Sequence, residues 1–158
     1  MNKHLKQVLG SVLAVSALAG AASAVAQQAP KPEQLIKWRQ SAYQIIAWNT
    51  GRVKANVEGK YNKDEVVKAA NVIASLANSG LGSLFAAGTE SGKGWHDTAA
   101  RPELFKDARV GELAGNFSRE ANELARVAVA GDVATVKDQL GKLQRTCKAC
   151  HDDFKAKD

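Results

Sequence analysis

The stretch Val133-Ala134-Thr135-Val136-Lys137-Asp138-Gln139-Leu140-Gly141-Lys142-Leu143-Gln144-Arg145-Thr146-Cys147-Lys148-Ala149-Cys150-His151-Asp152-Asp153-Phe154 decides the fold. Val136, Leu140, Leu143, Cys147, Cys150 and Phe154 alternate steps of four and three. That spacing predicts one apolar stripe on a helix running from Val133 to about Ala156. Gly131-Asp132 breaks the preceding pattern and supplies a cap. Both cysteines lie on the stripe, so the cysteine motif faces the core.

Cys147-Lys148-Ala149-Cys150-His151 is C-x-x-C-H, the attachment pattern for c-type haem. Two thiols add to two vinyl groups on one side of a porphyrin. On a helix, Cys147, Cys150 and His151 are related as i, i+3 and i+4 and share a face, so the imidazole reaches the iron beside the anchors. Other C-x-x-C chemistries fit less well. Redox motifs usually open a helix, where the dipole activates the first thiol. This one lies at the far end of a helix. A zinc site needs a fourth ligand, for which only His96 remains. A plain disulfide leaves His151 without a role.

The rest of the chain reads as three more helices. Pro32 suits a first helical turn and Glu33 favours its positive end. Leu35, Ile36, Trp38, Ala42, Tyr43, Ile45, Ile46, Asn49, Val53 and Val57 continue with helical spacing, which predicts a first helix over 32–58, roughly 40 Å long. Asn62 and Glu65 form a capping arrangement before Val66, Ala69, Ala70, Ile73, Leu76 and Ala77, a second helix over 62–79. Gly80 to Arg101 is glycine-rich and reads as a long loop with one apolar anchor, Leu84-Phe85. Loops of that length commonly cover a site. A third helix starts near Pro102 or a little later and carries Val110, Leu113, Phe117, Leu124 and Ala128. No segment alternates as a strand. The expected fold is all-α, an antiparallel up-down-up-down four-helix bundle around covalently bound haem c.

The N-terminus reads differently. A basic start at Lys3 and Lys6, an apolar run from Val8 to Ala19 and the small residues Ala24-Val25-Ala26 give the layout of a secretory signal peptide, cleaved after Ala26, with cleavage after Ala24 the close alternative. The expected organisation is a signal over 1–26 and one domain over 27–158, in the periplasm and without a membrane anchor after cleavage. Of 22 Lys and Arg against 16 Asp and Glu, only Lys3 and Lys6 lie in the signal, which leaves 20 against 16, or +4. That mild, scattered charge lacks the basic stripe of a nucleic-acid binder. Hydrophobic residues at 45% and only two cysteines exclude disordered and disulfide-dense classes.

The single methionine is Met1, so the mature chain has none. His/Met ligation of a haem iron is therefore impossible. Apart from His151, the mature chain holds one histidine, His96 in the glycine-rich loop. It is the candidate second ligand in the alternative of a six-coordinate, low-spin electron carrier. The composition favours a five-coordinate iron with an open, apolar distal side.

Taken together, the C-terminal haem motif, Trp38-Arg39-Gln40-Ser41-Ala42-Tyr43, Ala47-Trp48-Asn49-Thr50-Gly51, Ala70-Asn71-Val72-Ile73-Ala74 and Gly88-Thr89-Glu90 resemble cytochrome c′, and within it the purple-bacterial branch with a distal tyrosine. The resemblance implies His151 as axial iron ligand and Cys147 and Cys150 as anchors of one haem c. It implies Tyr43 in the distal pocket and Arg39, Gln40, Thr89, Glu90 and Phe85 as haem contacts. It further implies a homodimer through the first and second helices. The expected function is binding of small gases, NO and CO, at a Tyr43-gated iron, electron transfer with periplasmic redox proteins, or both. An enzymatic role such as peroxidase would want a distal acid-base group; only His96 could serve, its loop position argues against it, and no enzymatic role is expected. The family often has Tyr-Arg shortly after the axial histidine, where this chain has Phe154-Lys155. Lysine is a point charge and not a planar fork, so the two are not equivalent.

Overall fold

The structure is a computed structural model that describes residues 29–157. The signal-peptide reading over 1–26 lies outside the described residues. Four α-helices follow in order: α1 Pro32–Glu58, α2 Lys63–Ala77, α3 Arg109–Ala130 and α4 Val133–Phe154. Pro32 occupies the first turn of α1. The Asn62 side chain accepts from the Glu65 backbone N–H at the start of α2, and Asp132 accepts from that of Thr135 at the start of α4. Each cap satisfies a donor that the first helical turn leaves free. Gly80, after α2, takes a left-handed conformation with φ +82°, which a side chain would strain.

The helices pack in a ring, α1 on α2, α2 on α3, α3 on α4 and α4 on α1. The α1–α4 seam is much the sparsest. Ile46, Val53, Val66, Ala70, Ile73, Leu124, Ala128, Val136, Leu140 and Leu143 belong to one buried cluster. Arg52 of α1 pairs with Glu65 of α2 and also donates to the buried Asn49 amide oxygen. Among the described residues strand-type pairing is limited to two isolated bridges, Lys93 with Asp97 and Ala100 with Lys155.

The long connection has more structure than its glycines suggest. Leu81–Phe85 forms a 3₁₀ turn, and Pro102–Phe105 forms a second one before α3. Between them the chain crosses the N-terminal half of α1 and then lies along the end of α4. There the Arg101 N–H donates to the Phe154 carbonyl, and the Ala156 N–H donates to that of Ala99, both at 2.8 Å. At Gly94 an added Cβ would sit 2.4 Å from Gln40 Oε1 and 2.9 Å from the Lys37 backbone nitrogen. Only glycine permits that approach of loop to helix.

Candidate functional site

Two core stripes break at the same level of the bundle. On α1 the inward positions are Ile36, Arg39, Tyr43, Ile46, Asn49 and Val53. All are buried except Tyr43, which is 38% exposed. On α4 the stripe is Val136, Leu140, Leu143, Cys147, Cys150 and Phe154. All are buried except the two cysteines, which are half-buried. Leu76 of α2 and Phe117 of α3 are half-buried too. The Tyr43 and cysteine positions lie on α1 and α4, the most sparsely packed pair of neighbouring helices.

Tyr43 and the cysteines face one another. The Tyr43 phenol is pushed up to about 12, first by burial and then by the neighbouring Cys150, with a smaller effect from Cys147. Arg39 opposes the shift. The phenol is therefore neutral at any physiological pH. Burial also raises both thiols. Protonated thiols are poor nucleophiles, unlike the activated cysteine of a disulfide oxidoreductase. The His151 imidazole is shifted down, chiefly by burial and then by Lys155. That keeps it in the neutral form that ligates metals. Among the described residues no three His, Cys, Asp or Glu side chains converge to hold a bare metal ion. The geometry suits a flat group gripped along one helix face better than a small ion.

The wall beside Tyr43 is aromatic. Phe85 meets the Tyr43 ring edge-on, with centroids 6.2 Å apart, and Phe105 lies 6.2 Å beyond Phe85. Behind them sits Arg39, only 4% exposed. Its guanidinium donates to the Leu84 carbonyl, to the Thr89 hydroxyl and carbonyl, and to the Thr98 hydroxyl, at 2.8–3.1 Å. It also stacks over Phe85, 4.6 Å from the ring centroid. An arginine alone in a sequence usually reads as a solvated charge; here four hydrogen bonds offset its desolvation. Thr89 is fully buried, and the Glu90 carboxylate accepts from the Gly88 N–H nearby.

Gln40 and His96 form a separate contact. The Gln40 amide accepts from the Trp95 N–H at 2.7 Å and donates to the His96 carbonyl at 2.9 Å. Its nitrogen also lies 3.2 Å from His96 Nδ1, which is 2.8 Å from the Asp97 carbonyl. His96 is exposed in this loop. The structure thus gathers Arg39, Tyr43, Phe85 and Thr89 into one cluster beside the cysteines, and joins Gln40 to His96 on the loop. Thr98 and Phe105 belong to the same cluster as Arg39. The sequence offers no sign of either, because they reach it from 59 and 66 positions along the chain through an irregular loop.

The chain is similar to several known proteins. A cytochrome c′ from Rhodocyclus tenuis is 63% identical over 130 residues, 81% of this chain and 98% of the relative. A solved cytochrome c′, described as having an unusual ligand-controlled dimer dissociation, is 43% identical with a TM-score of 0.78, over 81% of this chain and 98% of that one. A ferrous variant of cytochrome c prime from Alcaligenes xylosoxidans with bound NO is 31% identical with a TM-score of 0.72, over the same shares. The family model for Cytochrome C′ matches residues 34–155, from the first turn of α1 to the end of α4, and so takes in Tyr43, the Arg39 cluster and both cysteines. On fold, motif and relatives alike, the chain belongs to the cytochrome c′ family.

Proposed function

We propose that this chain is a periplasmic c-type haem protein with a five-coordinate, high-spin iron. It binds small diatomic gases, NO and CO, behind Tyr43 and exchanges electrons with periplasmic redox proteins. The family binds haem c. The residues here fit such a group: two half-buried thiols one helical turn apart, a neutral imidazole beside them, and aromatic walls. Cys147 and Cys150 would hold it covalently, and His151 would be the axial ligand. When bound, haem c supplies an iron that takes up a diatomic or changes oxidation state. Arg39, Gln40, Thr89, Glu90 and Phe85 are the proposed contacts around its edge.

The observation that carries this reading is the opposition of Tyr43 to Cys147 and Cys150 across the sparse α1–α4 seam. Tyr43 is the one partly exposed member of its stripe, so it can be displaced without opening the core. A gas must move that ring, and the packing lost against Phe85 discriminates against weak ligands. The aromatic rings of Phe85 and Phe105 offer polarised oxygen no hydrogen-bond donor. A binding and electron-carrying role, not an enzymatic one, follows from that chemistry. Among the described residues no helix is long and apolar enough to cross a membrane. Periplasmic residence rests on the signal reading of 1–26.

The reading includes a homodimer through α1 and α2. Trp38, Ile45 and Trp48 of α1 and Val72 of α2 are 38–61% exposed, a large apolar display for one surface. Sedimentation of the ferrous protein with and without CO tests coupling to the gas; an unchanged mass rejects it. The central test is the optical spectrum of the purified haem protein, ferric and ferrous, before and after CO. A high-spin ferrous spectrum that converts with CO is expected. A sharp low-spin spectrum indifferent to CO would instead favour the carrier with His96 as second ligand.

A further inference from the structure

We propose that Arg39 is the positioning residue that sets how easily Tyr43 moves aside for an incoming gas. The inference rests on the gating role assigned to Tyr43 above. Arg39 and Tyr43 lie one turn apart on the same face of α1. Tyr43 meets Phe85 edge-on, and Phe85 is backed by the Arg39 guanidinium, whose Cζ lies 4.6 Å from the ring centroid, and by Phe105. For the Tyr43 ring to swing toward the loop, Phe85 must recede.

Arg39 prevents that. Its two terminal nitrogens bond the loop at three points, Leu84, Thr89 and Thr98. Leu84 and Phe85 close the same 3₁₀ turn, so the bond to the Leu84 carbonyl fixes the backbone next to Phe85. Thr89 itself is braced by donating to the Ala86 carbonyl at 2.8 Å. Thr98 Oγ1 also accepts from the Ala100 N–H at 3.2 Å, which leads into the pairing with the end of α4. One buried cation thus ties the loop, α1 and the floor behind the gate. With these bonds in place, displacing Tyr43 strains a clamped wall. Without them the same displacement lets the loop give way. Lysine cannot reproduce the clamp: a point charge does not span three acceptor sites or lie flat on Phe85.

The test uses the holoprotein and compares wild type with Thr98→Val, which removes the shortest of the four bonds, and Arg39→Lys. Val127→Ala, in the buried core cluster, serves as control for general loosening. CO association is followed by flash photolysis, and amide exchange is followed across residues 84–98. Thr98→Val should speed association about twofold and Arg39→Lys a few-fold, with faster exchange confined to the loop and an unchanged rate in Val127→Ala. Rates that stay at the wild-type value while the loop exchanges faster would overturn the role of Arg39 and leave the gate intact. An equal acceleration in Val127→Ala would overturn it as well. A wild-type protein that takes up no CO would reject the gate, and with it this inference.

Discussion

The two ends of the bundle are held together by different physics. Around Val53, Val66, Ile73, Leu124 and Val136 the four stripes close on one another and these side chains are fully buried. Apolar area removed from water supplies the cohesion there. At the other end, Tyr43, Cys147 and Cys150 occupy the same stripe positions yet remain partly exposed. Besides the buried Ile36 and Phe154, cohesion at that end comes from Arg39 with its four hydrogen bonds and from backbone pairing of Ala99 and Arg101 with the end of α4. A helix seam can thus close as core in one half of its length and stay partly open in the other. What differs is the side chains placed on an unchanged period.

Substitutions at the two ends should therefore separate stability from ligand chemistry. The largest effect is expected from Cys147→Ser with Cys150→Ser. Covalent attachment should vanish completely, read as loss of the haem mass from the denatured chain. Retention of that mass would break the assignment of the anchors. Leu124→Ala comes next: deletion of a fully buried leucine should lower unfolding stability by about 2–5 kcal/mol, measured by denaturant titration, with CO binding unchanged. A smaller effect is expected from Tyr43→Leu. Losing an edge-on aromatic pair worth about 0.5–1.5 kcal/mol should raise the CO association rate roughly 2–10-fold, with stability nearly constant.

The smallest effect is one of pH. The Tyr43 proton is held more tightly in the folded state than in the unfolded chain, because its pKa is pushed up to about 12 from the ordinary 10. The stability it contributes is complete below pH 10 and is lost as pH rises through about 12. Burial is the leading cause, so the shift should survive conversion of both thiols to thioethers. CO kinetics should show no phenolate step between pH 6 and 9. The difference in ultraviolet titration between wild type and Tyr43→Phe isolates this phenol from Tyr61, which burial also raises. A phenolate appearing below pH 10 would mean that the gate is wetter than its packing implies.

Much of this is legible in the sequence. The spacing predicts a first helix over 32–58, which runs Pro32–Glu58, and a last one from Val133 to about Ala156, which ends sooner, at Phe154. Asn62 and Asp132 cap as their neighbours suggested. The third helix was less sharp: Pro102 opens a 3₁₀ turn, and α3 proper begins at Arg109. The second is shorter than expected, ending at Ala77 and not at 79. Within the connection, the anchor Leu84-Phe85 was visible as an apolar pair in a glycine-rich run. Its partners were not.

Periodicity, capping and the C-x-x-C-H spacing are relations among neighbours on one helix, so the sequence alone determined the four helices, their inward stripes and the pairing of thiols with an imidazole on one face. The relation of Tyr43 to Cys147 and Cys150 links the first helix to the last. The burial of Arg39 depends on Leu84, Thr89 and Thr98, which are 45, 50 and 59 residues away. The path between them follows no period, and a charged residue has no local reason to be inside. Only the packed tertiary structure, which brings four acceptors and an aromatic face around one guanidinium, could decide that.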